Sequence, residues 1–264
     1  MMAFTGQTVV VTGGLSGIGA ALVRQFEALG ARVCVFDIVD VPASGASITA
    51  YVKCDVSVQQ DLRDAIQKVE REVGAIDIFV SNAGVMSAGP PLGDGDDWAR
   101  CLSVNLMAHV YAARVLIPLM AARGGGYLVT VASAAGLLNQ IGDAAYSASK
   151  HAAVSFAESI AITHAEDNIG VSLVCPQYVA TPLLGLTAAD IEGQSLLTAD
   201  QVADRVLHAV KARQFLVLPH PEVRTYALAR AEDHDRWVSG MRKLRARSIK
   251  EYGDALPRRF YRLV

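Results

Sequence analysis

The sequence is poor in the features that mark several whole classes of protein. Charge is sparse and balanced: charged residues make up 19% of the 264, and 24 Lys and Arg against 26 Asp and Glu leave a formal net charge of −2. Without a positive excess there is no electrostatic case for a nucleic-acid partner. Cysteine is scarce, and Cys34, Cys54, Cys101 and Cys175 stand singly, without the close pairs of a zinc site or the density of a disulfide scaffold. They read as reduced, mostly buried thiols. The histidines are scattered with no two at metal-ligand spacing, so no metal site is expected. The stretch Met1-Met2-Ala3-Phe4-Thr5-Gly6-Gln7 has no basic region, apolar run and small-residue cleavage site, so no secretory signal is visible and a cytoplasmic address is expected. The most membrane-like run, 106–122, carries His109, Arg114 and Pro118 and falls short of the ~20 apolar residues of a span. It reads as a buried helix, and no membrane partner is expected.

Apolar residues are plentiful, at 52% of the chain, enough for a large core and too many for intrinsic disorder. No composition break, linker, repeat or low-complexity segment divides the chain, so a single domain over 1–264 is expected, with a core at 6–219 and a helical extension at 220–264. Short β-branched runs alternate with helix-period segments, the pattern of an α/β, Rossmann-type doubly wound parallel sheet. Strands are predicted at 8–12, 32–36, 50–53, 78–81, 127–132, 171–175 and 215–218, with helices between them. Ser57 is the expected N-cap of the helix over 56–73, and Thr198 starts another that buries Val202, Val206 and Val210. Two long loops, 85–96 and 176–197, follow predicted strands, where ligand sites form in such folds.

The first strand runs into Thr12-Gly13-Gly14-Leu15-Ser16-Gly17-Ile18-Gly19 and then an apolar helix. Strand, glycine turn and helix in that order suit a dinucleotide: missing side chains admit the pyrophosphate, and the helix N-terminus stabilises its charge. Asp37 ends the second strand 18 residues past Gly19, the last glycine of the turn, where a carboxylate can accept hydrogen bonds from the adenosine ribose and repel a 2′-phosphate. No Arg or Lys lies between Thr8 and Val23, and Ile38 follows the Asp, so NAD is the expected cofactor.

Tyr146 and Lys150 stand at i and i+4 near the start of a helix predicted over 144–165, on one face. At ~5 Å and an effective dielectric of ~20, Coulomb's law gives ~3 kcal/mol in favour of phenolate, which lowers a Tyr pKa of ~10 by about two units. That would make Tyr146 a general acid/base near neutral pH. Ser133 ends the preceding strand, where its hydroxyl can converge with the phenol on one substrate oxygen.

With these motifs and Cys54-Asp55-Val56, Asn82-Ala83-Gly84, Asn105, and Pro176 followed by Thr181, the sequence resembles the short-chain dehydrogenases/reductases over residues 6–219. The resemblance implies that Asp55 and Val56 flank the adenine and that Asn82, Ala83 and Gly84 line the cofactor. It implies that Asn105 holds a water in a proton relay, Lys150 binds the nicotinamide ribose, and Thr181 contacts the carboxamide. It also implies a homodimer or homotetramer built through the helices at 96–122 and 144–165. Two positions depart from the family pattern: Ser81 stands where Asn is frequent, and Gln177 where Gly is usual. The second places an amide beside the nicotinamide and the substrate.

The expected substrate pocket draws on Met86, Leu137, Leu138, Ile141, Tyr178, Leu183, Leu184 and Leu186, with Asn139, Gln140 and Gln177 as neutral polar contacts. These segments hold no Arg or Lys to clamp a carboxylate or phosphate. The expectation is an NAD-dependent oxidoreductase interconverting a neutral, mostly hydrophobic secondary alcohol and its ketone. Two alternatives stay open at this point: a non-catalytic NAD-sensing or scaffold protein, and a relative acting on a sugar or steroid alcohol. Beyond residue 218 the chain continues with Pro219-His220-Pro221 and a polar helical stretch from Glu222 to about Tyr252. Between 242 and 262 it gathers Arg242, Lys243, Arg245, Arg247, Lys250, Arg258, Arg259 and Arg262 against Glu251 and Asp254. Trp237, Met241 and Leu244 recur at i, i+4 and i+7, so the stretch reads as a solvated helix packed through them.

Overall fold

The computed structural model describes residues 4–40, 48–87, 91–190, 196–254 and 257–264. Parts of both long loops, 88–90 and 191–195, and the side chains of Arg258 and Arg259 lie outside the described residues. In chain order the elements are β1 (Thr8–Thr12), α1 (Gly17–Ala28), β2 (Arg32–Asp37), β3 (Ala50–Lys53), α2 (Gln59–Glu72), β4 (Ile78–Ser81), α3 (Gly95–Leu102) and α4 (Ala108–Ala122). They continue with β5 (Gly126–Val131), α5 (Ala144–Thr163), β6 (Ile169–Val174), β7 (Tyr178–Val179), β8 (Leu196–Leu197), α6 (Ala199–Ala212), β9 (Leu216–Val217), α7 (Glu222–Glu232) and α8 (His234–Tyr252). Seven strands form one parallel sheet in the order β3-β2-β1-β4-β5-β6-β9. This is the doubly wound Rossmann-type sheet, and the chain direction across it reverses between β1 and β4.

The central strands are unbroken apolar runs because both faces are covered. On one face α2, α4 and α5 bury Leu62, Ile66, Leu116, Met120 and Ala153 against Val10, Phe79 and Leu128. On the other, α1 and α6 bury Leu22, Phe26, Val202 and Val206 against Val9, Val11 and Val129. The crevice at the carboxyl ends of β1 and β4, where such sheets bind ligands, is thereby left open.

Local differences from the sequence reading have physical causes. Ser57 does not cap α2: its amide and hydroxyl bond the Asp55 carboxylate at 2.9 and 2.7 Å, and Val58 takes the cap position. Thr198 does cap α6, in a reciprocal capping box with Gln201. The C-terminal stretch is two helices, because the Asp233 side chain accepts from the Arg236 amide and starts α8 afresh. Trp237 packs beside Leu138 and Val223, and Leu244 beside Phe260 and Tyr261. The run 106–122 is part of a longer helical stretch than the sequence reading gave it, Gly95–Ala122, which by length and composition is long and apolar enough to cross a membrane. Here Ala112, Leu116 and Met120 of this run pack against the sheet. All four cysteines are free and buried.

Candidate active site

A cleft of about 310 Å³ opens at the carboxyl edge of the sheet. At one end lies the glycine turn. Gly13 and Gly17 have φ of +62° and +51°, backbone that side chains rarely adopt. A Cβ on Gly19 would fall 2.1 Å from the Gly13 carbonyl oxygen, so the turn closes only with glycine there. Thr12 Oγ1 accepts from the Asn82 and Ala83 amides at 2.9 and 3.0 Å, while Asn82 Nδ2 donates to the Thr12 carbonyl at 2.9 Å. Asn82 thus ties β4 to the turn. Ser16 caps α1 without a side-chain hydrogen bond, which leaves first-turn amides for a ligand anion. Asp37 stands at the rim, accepting from the Leu15 amide at 3.1 Å.

This end fits a dinucleotide by its own chemistry: side chains are excluded at the glycines, helix amides are free of a side-chain cap, and the Asp37 carboxylate lines the wall of the same cleft. Asp37, Asp55 and Val56 continue that wall. Gly84 lies beside the catalytic end, where an added Cβ would meet Asn105 Oδ1 at 3.3 Å and Lys150 Nζ at 3.4 Å.

At the other end the cleft is lined by Ser133, Tyr146 and Lys150. Tyr146 is positioned by its helix start: Asp143 N-caps α5 by accepting from the Tyr146 amide at 2.9 Å, and the same carboxylate holds the Ser87 amide and hydroxyl at 2.9 and 2.6 Å. The Ser133 hydroxyl accepts from the Ala135 amide at 3.1 Å and also hydrogen-bonds the Tyr146 phenol. Lys150 Nζ donates to the Val131 carbonyl at 3.1 Å and lies 5.7 Å from the centre of the Tyr146 ring. Asn105 is fully buried in a π-helical turn, Ser103–Met107; it pairs with both backbone groups of Val85 at 2.9 Å and donates to Ser149 Oγ at 3.0 Å.

The electrostatics correct one expectation. Burial pushes Tyr146 up to about 12, with the Ser133 hydrogen bond lowering it only in part. Burial also lowers Lys150 to about 8. The Coulombic reading counted attraction between the two charges and left out the cost of taking both from water, which wins in this site.

Met86, Gln140, Gln177, Tyr178, Leu183 and Leu184 also line the cleft, as do Ser16, Ile18, Pro176 and Thr181. Leu15, Gly19 and Asn105 do not line it: the Leu15 amide bonds Asp37, Gly19 packs on the Gly13 carbonyl, and Asn105 bonds Val85 and Ser149. Asn139 and Ile141 are corrected: they face a separate depression with Pro91, Gly142 and His151. Leu138 is buried against Ala134 and Val223, and Leu186 against Tyr178 and Phe260, so both are core. The sequence reading missed Asp143, whose place three residues before Tyr146 is a capping signal, and His220, which no local pattern marks.

Parallel sheet, glycine turn and the Ser133, Tyr146 and Lys150 set together define an oxidoreductase of the Rossmann type. The sequence profile of the short chain dehydrogenases matches residues 7–192, and the chain belongs to that family. It is 33% identical to momilactone A synthase from Oryza sativa subsp. japonica over 247 residues, 89% of this chain and 86% of that one. It is 32% identical to (+)-borneol dehydrogenase 2 from Salvia officinalis over 254 residues, covering 89% and 86%. The crystal structure of a short chain dehydrogenase/reductase from Burkholderia phymatum in complex with NAD superposes with a TM-score of 0.77 at 26% identity, covering 89% of this chain and 96% of that one.

Proposed function

We propose that this chain is an NAD-dependent dehydrogenase that interconverts a neutral, mostly hydrophobic secondary alcohol and its ketone. The observation that carries this reading is one continuous cleft with Asp37 and the glycine turn at one end, Ser133, Tyr146 and Lys150 at the other, and Met86, Leu183 and Leu184 beside them. The nicotinamide supplies the hydride acceptor or donor and, when oxidised, a positive ring. In alcohol oxidation Tyr146 Oη takes the hydroxyl proton while Ser133 Oγ holds the same oxygen in line. In ketone reduction the phenol returns that proton. Lys150 binds the ribose hydroxyls with the donors that the Val131 carbonyl leaves free, and Asn105 stiffens the floor beneath it. The relative named for borneol oxidation supports a bulky neutral alcohol.

Exposed Leu119 on α4 and Ile162 on α5 support assembly of a homodimer or homotetramer through these helices. The free buried cysteines support a cytoplasmic address. The test is NADH formation over a panel of aliphatic, aryl, terpenoid, steroid and polyol secondary alcohols, with Tyr146→Phe as the control. Turnover with neutral apolar alcohols that vanishes in the control is expected. No turnover with any member, despite NAD binding, would leave the non-catalytic alternative standing.

A further inference from the structure

His220 is 1% exposed, and the chemistry above gives it no part. It follows β9 and is flanked by Pro219 and Pro221, whose fixed φ angles stiffen the strap on both sides. Both ring nitrogens are used at the cleft wall. His220 Nδ1 accepts from the Gln177 amide at 3.0 Å, and His220 Nε2 lies 3.0 Å from the Tyr178 carbonyl. A backbone N–H only donates and a carbonyl only accepts, so the pair of contacts requires a neutral ring with its proton on Nε2. Gln177 and Tyr178 line the cleft directly after Pro176. The Pro176 carbonyl accepts from the Ala134 amide at 2.8 Å, next to Ser133. The Tyr178 phenol faces Gln140, a further lining residue. One imidazole therefore braces a chain of contacts that runs from Ser133 to Gln140 around the substrate side.

We propose that His220, as the neutral Nε2–H tautomer, is a positioning residue that latches the 176–178 loop and thereby sets the shape of the alcohol pocket. This rests on the reading of the cleft as an alcohol site. Without the latch the Gln177 amide and Tyr178 carbonyl lose buried partners, and the loop relaxes away from the substrate. Cofactor contacts at the glycine turn and Asp37 stand apart from it.

The test compares wild type with His220→Leu, which keeps the bulk and removes both bonds, and His220→Asn, whose Oδ1 can replace Nδ1. For a folded His220→Leu, KM for the alcohol should rise at least about tenfold, the Kd for NAD should stay within about twofold, and His220→Asn should recover part of the loss. An alcohol KM equal to wild type in His220→Leu overturns the proposal, as does a parallel loss of NAD affinity. Long-range ¹H–¹⁵N spectra of the wild-type protein read the tautomer without any turnover. A proton on Nε2 with a bare Nδ1 is expected at neutral pH, and the opposite tautomer or a doubly protonated ring overturns the latch. Absence of turnover in wild type with the expected tautomer would instead count against the alcohol reading alone.

Discussion

The Leu15 amide donates to the Asp37 carboxylate at 3.1 Å, so the end of β2 is tied to the glycine turn before any ligand arrives. The bond orients the carboxylate along the cleft wall, and the other oxygen, Oδ1, accepts only a long bond from the Val39 amide at 3.4 Å, which leaves acceptor capacity on the carboxylate. Lys53 pairs with Asp37 across β2 and β3, but its ammonium is held by Asp40 at 2.9 Å.

Asp37 should therefore decide cofactor choice. Hydrogen bonds to a charged group contribute ~1.5 to 3 kcal/mol, so wild type should prefer NAD over NADP by at least about tenfold in kcat/KM. Asp37→Ser should narrow the ratio mainly by weakening NAD, since removing repulsion supplies no partner for the phosphate. Full conversion should need an added base, as in Asp37→Ser with Ile38→Arg. Steady-state kinetics with both cofactors on the three proteins settle it; equal use by wild type, or a ratio unmoved in Asp37→Ser, rejects the role.

Tyr146 carries the second prediction. Burial holds its phenol protonated, with a pKa pushed up to about 12. Ketone reduction uses the protonated form and should be flat through neutral pH, falling only on the alkaline side. Alcohol oxidation uses the phenolate and should rise with pH across the neutral range, by at most about tenfold per unit. Tyr146→Phe should lose at least ~10²-fold in turnover in both directions while its NAD binding isotherm is unchanged. A pH-independent oxidation rate in wild type, or more than about a tenth of the activity in the variant, would remove Tyr146 as the proton carrier.

The parts legible in the sequence were those whose signal is local. Val9, Val10 and Val11 mark a doubly covered strand, the glycine spacing marks the turn, and Tyr146 with Lys150 shows one helix face. What escaped depends on pairs far apart in the chain. Asp143 reaches Ser87 across 56 positions, and His220 reaches Gln177 across 43. The direction of the Tyr146 shift escaped for the same reason, because its desolvation comes from packing and not from its neighbour Lys150. Asn139 and Gln140 both line the neighbouring depression, yet Gln140 also reaches the cleft and Asn139 does not, a divergence that residue type alone does not encode.

His109 supplies a stability prediction. It is buried on α4 with no hydrogen-bond partner at either ring nitrogen. Burial, reinforced by the Lys150 charge, lowers its pKa to about 3; the Asn105 carbonyl one turn earlier offsets this only slightly, in a geometry that satisfies neither nitrogen. The folded pKa lies below the unfolded value of ~6.5, so on acidification the unfolded chain binds a proton that the fold refuses. Stability is thus lost as pH falls from about 6.5 towards 3, and the single group accounts for about 2 kcal/mol between pH 7.5 and 5. His109→Leu removes both the titration and the unpaired nitrogens. Urea denaturation at the two pH values should show a loss smaller by about that amount in the variant, and an identical loss in both proteins would show that His109 is hydrated or paired in solution.

The last prediction concerns charge on the substrate. Among the described residues lining the cleft, Lys150 is the one cationic side chain. It is buried, bonded to the Val131 carbonyl, and lowered to about 8 by burial, so it offers little to a substrate anion. Asp37 and Asp55 add negative charge to the same cleft. A carboxylate carried into the apolar end would lose water and meet no partner, a cost of several kcal/mol. A neutral secondary alcohol should therefore exceed its carboxylate-bearing analogue by at least about a hundredfold in kcat/KM. The methyl ester of that analogue, with more bulk and no charge, should recover most of the loss. Recovery by the ester assigns the discrimination to charge, whereas an ester as poor as the acid assigns it to size. Preference for the acid would overturn the apolar reading and point to a basic residue reaching the site from the basic tail or a neighbouring subunit.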